Sequence, residues 1–165
     1  MESTRRLDLP LLMAGQAQKE IAHNEALQIL DSLVALVVQE LPQNQPPGTP
    51  AVGSCWLIGD QPVGEWAGKP RQVACYTPGG PRYLQPFEGL GAFVRATSTT
   101  ATYLNGSWEV GVVRAARFEV AGQQVLGPRA AGVADPEGGS VIDAESRAAI
   151  VAILGALRSH GLIAG

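Results

Sequence analysis

Residues 100–113 read TATYLNGSWEVGVV, and this stretch decides the fold class. Two runs rich in Thr, Tyr, Trp and Val flank Asn105-Gly106. Asn-Gly tolerates positive φ at both turn positions, which is what a two-residue hairpin turn matched to strand twist requires. The stretch therefore predicts an antiparallel hairpin with strands over 100–104 and 108–113. The same grammar extends outward on both sides. Candidate strands fall at 54–58, 72–76, 82–84, 92–96, 118–120 and 124–126. Strong turns separate them, among them GDQPVGEWAGKP at 59–70 and TPGGP at 77–81. The chain holds 20 Gly and 12 Pro, crowded between residues 42 and 91, which suits short strands and tight turns rather than a helical bundle. Strand spacing of about 8–12 residues suits a small antiparallel sandwich, prism or barrel.

The two ends read differently. NEALQILDSLVALVVQEL, residues 24–41, contains no Gly or Pro and predicts a helix. Asn24 serves as N-cap, Glu25 sits in the first turn where the helix dipole favours a carboxylate, and Pro42 forms the stop. Leu27, Leu30, Val34, Val37 and Leu41 follow alternating steps of three and four, a heptad seam. Ile29, Leu33 and Leu36 form a second stripe beside it. A surface helix needs one buried stripe; with two, one is expected to pack within the chain and the seam Leu27, Leu30, Val34, Val37 and Leu41 to meet another subunit. Asp143 is expected to cap a helix reaching about His160, with Ile150, Ile153 and Leu157 again at steps of three and four. Isoleucine at both seam positions favours trimers in parallel coiled coils, and the run, under two heptads, is expected either to lock an assembly formed elsewhere or to pack on the sheet. The chain is thus expected to be α+β, mainly β. An N-terminal docking or oligomerisation segment spans 1–41, a β-rich domain 42–127, and a loop with the C-terminal helix 128–165. The proline-rich stretch 42–53 is a short stiff strut.

Composition excludes several classes. Apolar residues make up 45% of the 165-residue chain and charged residues 16%, below the roughly 25% usual for soluble domains. Low charge suggests surface covered by a partner. A net charge of −3 argues against nucleic-acid binding, and Arg5-Arg6 is the only basic doublet. No apolar run is long enough to span a membrane. The opening residues lead into no apolar leader core, so folding in a bacterial cytoplasm is expected. Cys55 and Cys75 lie in apolar strands and are expected to be buried free thiols.

No nucleophile elbow, phosphate loop or zinc-ligand spacing occurs, and no catalytic residue, metal or cofactor is expected. His23 and His160 lack partners at ligand-like spacing. Glu65, Glu88, Glu109 and Glu119 lie in or near the β section. An envelope-degrading hydrolase would need two of them about 5–10 Å apart in a cleft; scattered surface charge is the simpler expectation. The turn GEWAGKP presents Trp66 as an exposed aromatic, and with Tyr83 it is the candidate platform for a host surface polysaccharide.

The block LDLPLLMAGQAQKEIAHNEALQILDSLV, residues 7–34, resembles a phage-associated family classed as a domain of unknown function. Its hallmark is a Leu-Pro pair, GQAQK, NEAL and LD, here Leu9-Pro10, Gly15–Lys19, Asn24–Leu27 and Leu30-Asp31. The GEWAG turn at 64–68 and the segment from Val125 onward extend the resemblance over most of the chain. The resemblance implies a place in prophage or gene-transfer-agent particles, with tail fibres or spikes, and brings no catalytic set. Gln16, Gln18, Lys19, Asn24 and Glu25 are expected to form a docking motif. The side chains of Gln16, Gln18 and Lys19, polar within an apolar segment, are expected to bond backbone or a neighbouring subunit. The expected partners are other copies of the chain, as a homotrimer, and other particle proteins. Ending near residue 165, without the appended regions of longer members, suits an adaptor or decoration.

Overall fold

The computed structural model describes residues 2–13, 15, 19–141 and 143–164. Chain contacts divide it into two compact units, one up to Val113 and one from Arg114. The first contains α1 (Lys19–Leu33), β1 (Val37–Val38), β2 (Cys55–Leu57), a 3-10 turn (Gly64–Trp66), β3 (Val73–Thr77), β4 (Gly80–Leu84), β5 (Gly91–Val94), β6 (Thr99–Leu104) and β7 (Ser107–Val110). The second contains β8 (Phe118–Val120), β9 (Gln123–Leu126) and α2 (Ala144–Ser159). The class is α+β and mainly β. The hairpin 118–126, read from sequence with the β-rich middle, groups with the C-terminal helix.

The β section of the first unit is a single mixed sheet of seven strands, in the order β4-β3-β2-β1-β5-β6-β7, where an antiparallel sandwich, prism or barrel was expected. Two meanders, β2-β3-β4 and β5-β6-β7, are antiparallel within themselves. β1 lies between them, parallel to both β2 and β5. Asn105 and Gly106 both take positive φ in the β6–β7 turn, as the hairpin reading requires.

The sheet curls on itself. Five inter-strand steps separate β3 from β7, about 24 Å on a flat sheet at ~4.8 Å per step. Yet the Trp108 indole N–H of β7 donates to the carbonyl of Arg71, just before β3, at 2.7 Å. All seven strands accordingly feed one core: Leu84, Val73 and Cys75, Cys55 and Leu57, Val38, Ala92 and Val94, Ala101 and Tyr103, Trp108 and Val110. On the opposite face, Trp56, Ile58, Trp66, Ala74 and Tyr76 pack into a second cluster over β2 and β3. Alternating residues of those strands therefore face two cores, which is why both strands are buried throughout.

Cys55 and Cys75 stand directly opposite in the β2–β3 register, with Cα atoms 4.2 Å apart. That is close to the spacing of a non-hydrogen-bonded antiparallel pair. They form a disulfide, which corrects the free-thiol expectation. Burial was foreseen; the pairing follows from register, which spacing alone does not give.

The first helix also differs from expectation. α1 begins at Lys19, so Asn24 is internal and caps nothing, and it ends at Leu33 rather than Leu41. Ala35 takes a positive φ of 48°, which turns the chain out of the helix. The Arg6 guanidinium meets the helix end, donating to the carbonyls of Asp31 and Ser32 at 2.9 Å each and of Ala35 at 2.6 Å. These are carbonyls that a helix terminus leaves without partners. Leu36 then drops into the core, and Val37-Val38 pair with Phe93-Val94. β-branched residues suit that half-buried pleat better than a helix. The seam from Leu27 to Leu41 is therefore not one helical stripe.

In the second unit, α2 matches its reading. Asp143 caps it, accepting from Ser146 N at 2.8 Å and Ser146 Oγ at 2.7 Å. Both bonds hold the Asp143 carboxyl below its usual value. At the other end Leu162 N donates to Leu157 O and Gly161 N to Arg158 O, with Gly161 at positive φ. This is the paired closure that a left-handed glycine makes possible.

Candidate functional site: the clipped N-terminal block and the exposed apolar surface

Residues 2–11 fold back on themselves, with Thr4 N donating to Leu9 O at 2.9 Å and Leu11 N to Glu2 O at 2.8 Å. Asp31, buried on α1, holds this turn. Its carboxylate accepts from Thr4 Oγ1 at 2.8 Å, Arg6 N at 3.1 Å and Leu7 N at 2.6 Å. Two helical turns earlier, Asn24 uses both ends of its amide on one residue. It accepts from Leu12 N at 2.9 Å and donates to Leu12 O at 3.0 Å. Glu25 takes a forked pair of bonds from Arg82 on β4, at 2.5 and 3.0 Å, which raises the Arg82 pKa. The block is thus clipped to itself and to the sheet.

Of the expected docking residues, Asn24 and Glu25 are engaged within the chain and Lys19 is exposed. Gln16 and Gln18 lie outside the described residues. The residues that sequence reading passed over are Thr4, Arg6 and Asp31. The signal was present in Arg5-Arg6 and in the LD of the block, but nothing local told that one would close on the other.

The apolar seam residues separate. Leu30, Val34 and Leu41 are about half exposed; Leu27 and Val37 are partly buried. On α2, Ile150 is 45% and Ile153 59% exposed, and Leu157 is partly buried. A cleft of about 440 Å³ on the open sheet face beside β1, β5 and β6 includes Val37, Phe93 and Thr100. A second, of about 390 Å³, lies between the N-terminal turn, α1 and the β3–β4 turn, with Leu11, Ile21, Gln28 and Arg82 on its walls.

The aromatic platform is not where the sequence placed it. Trp66 is 0% exposed, because the 3-10 turn folds its indole into the second core cluster. Trp66 therefore offers no face to a sugar. Tyr83 is half-buried, with the Lys69 ammonium 4.3 Å from its ring centroid and its hydroxyl donating to Glu65 O at 3.4 Å. Burial first, and the Glu65 charge second, push the Tyr83 hydroxyl up to about 12.

Two of the candidate carboxylates have local partners. Glu88 accepts from Asn105 N and Gly106 N at 2.9 and 3.1 Å, closing the β6–β7 turn. Glu119 pairs with Arg117 at 2.5 Å. Among the described residues no group of three His, Cys, Asp or Glu side chains is placed to hold a metal ion.

A family model described as "Protein of unknown function (DUF2793)" matches residues 23–109, from within α1 to within β7. No curated protein matches the chain.

Proposed function

Given that the chain belongs to the DUF2793 family, described as a protein of unknown function, we propose that it is a non-enzymatic structural component of a phage-like particle. In this reading it is an oligomeric tail-fibre or spike attachment module. One observation carries the reading: the polar hallmark residues Asn24, Glu25 and Asp31 are spent on clipping the N-terminal turn to α1 and α1 to the sheet. Three apolar residues of the predicted seam, Leu30, Val34 and Leu41, stay about half exposed beside it. A braced body with apolar contact residues suits assembly. The resemblance of residues 7–34 to particle-associated proteins supplies the setting, and its partners are other copies and neighbouring particle proteins. The polysaccharide reading loses its main support because Trp66 is buried.

The test is mass spectrometry of phage-like particles purified from the producing bacterium. The chain is expected at fixed copy number relative to tail or head proteins. Its absence from particles, while abundant in the cell lysate, would overturn the proposal.

A further inference from the structure

The second unit, from Arg114 onward, has the composition of a domain and the burial of a fragment. Among its described residues only Leu154 and Ile163 are buried apolar side chains. Exposed at the same time are Phe118, Val120, Val125, Val141, Ile150 and Ile153. β8 and β9 form a two-stranded sheet, and every residue in it is exposed. A lone hairpin is marginal in water, and about 50 residues with so little core do not offset the entropy of ordering them. Yet the unit has well-made local structure: a capped helix, a closed helix end, a parallel bridge between Ala130 and Ile163, and an ion pair between Arg158 and Asp135 at 2.9 Å. Local order of this kind, without a core, needs apolar surface from outside.

We infer that the second unit is an obligate self-association module whose core is completed by other copies of the same chain. Three observations favour a copy over a different protein. Residues 114–165 carry five arginines and five carboxylates, so copies meet without net like-charge repulsion. The outer edges of β8 and β9 have no strand beside them among the described residues, so each hairpin can pair with two identical neighbours in a ring. Ile150 and Ile153, exposed at a three-residue step with Leu157 four further on, form the isoleucine seam that favours three or more helices. Three copies around one axis is the smallest closed arrangement meeting all three conditions. The inference deepens the oligomeric part of the proposed function. It is read on purified chain rather than on particles, so either can fail alone.

The test is light scattering on the full chain from about 1 to 100 μM, beside circular dichroism and tryptophan emission. Trp56, Trp66 and Trp108 all lie in the first unit, so emission reports that unit alone. The parent is expected at three times its 17.2 kDa chain mass. The variant I150D/I153D is expected at one chain mass, with weaker helical signal and unchanged emission. The variant V52D/V63D, at exposed residues of the first unit, is expected to stay assembled. A monomeric parent, an I150D/I153D variant that stays assembled, or dissociation by V52D/V63D alone would each overturn the inference.

Discussion

Asp31 accepts from one hydroxyl and two backbone N–H groups while nearly out of water. Replacing it with Ala strands those donors, and hydrogen bonds to a charged group are worth about 1.5–3 kcal/mol net. Asp31→Ala is expected to lower unfolding stability by about 2–3 kcal/mol and to speed tryptic cleavage after Arg5 and Arg6. Asp31→Asn should restore part of the loss. An unchanged denaturant midpoint would contradict the role given to Asp31. Tyr83 makes a prediction about pH. Its hydroxyl, ordinarily 10.0, sits at about 12 when folded, and burial also raises Tyr76. The folded state thus favours the neutral phenol, so the unfolded chain ionises first. The contribution is complete below pH 10 and is lost as pH rises from 10 towards 12. Denaturant midpoints measured across that window should fall, and Tyr83→Phe should flatten the fall. At this scale the sequence showed which residues stand out but not what they meet. Asn24 looked like a cap because its neighbours looked like a helix start, whereas its partner Leu12 lies on a segment with no regular pattern. Trp66 looked exposed because Gly and Pro surround it, yet the turn they make folds inward.

Strands were legible because Gly and Pro punctuate them, and each of the eight sequence-read strands overlaps an observed one. The end of α1 was not legible, since LVALVVQEL holds no breaker. Two distant events end it: Arg6 takes the terminal carbonyls, and Val38 finds Cys55 and Val94 on either side. Ala35 pays for the turn by adopting a left-handed conformation that costs a non-glycine residue about 1–2 kcal/mol. Ala35→Gly should therefore stabilise the chain by about 0.5–1 kcal/mol, read as a higher denaturant midpoint. A lower midpoint would mean that the Ala35 methyl has a packing role. The disulfide also belongs to this scale, because the β2–β3 register creates it. It joins residues 20 apart in sequence, and closing a loop of that size is worth about 3 kcal/mol. Reduction should lower the midpoint by that order without dismantling a sheet that is also held by its backbone bonds. Alkylation mass counts, with and without reductant, would verify the pairing.

The whole molecule divides where the contacts thin, at Val113 and Arg114. The sequence showed no composition break there, because the β-like pattern runs on through Leu126. Brief trypsin treatment is expected to cut within residues 111–117 and leave the first unit with native tryptophan emission. A fragment whose emission shifts to that of unfolded chain would show that the first unit cannot stand alone. The position of β1 has a consequence for synthesis. It precedes the other strands in the chain, yet among the described residues it is the only strand joining the two meanders, since β2 and β5 are not neighbours in the sheet. As the chain leaves the ribosome, Val37-Val38 emerges more than fifty residues before Phe93-Val94. Each meander can zip locally on its own schedule, but the two halves become one body only when this early strand is captured by the later of them. The opening block, clipped ahead of β1, would ride into place with it, so an error there would be felt as two half-sheets that never meet.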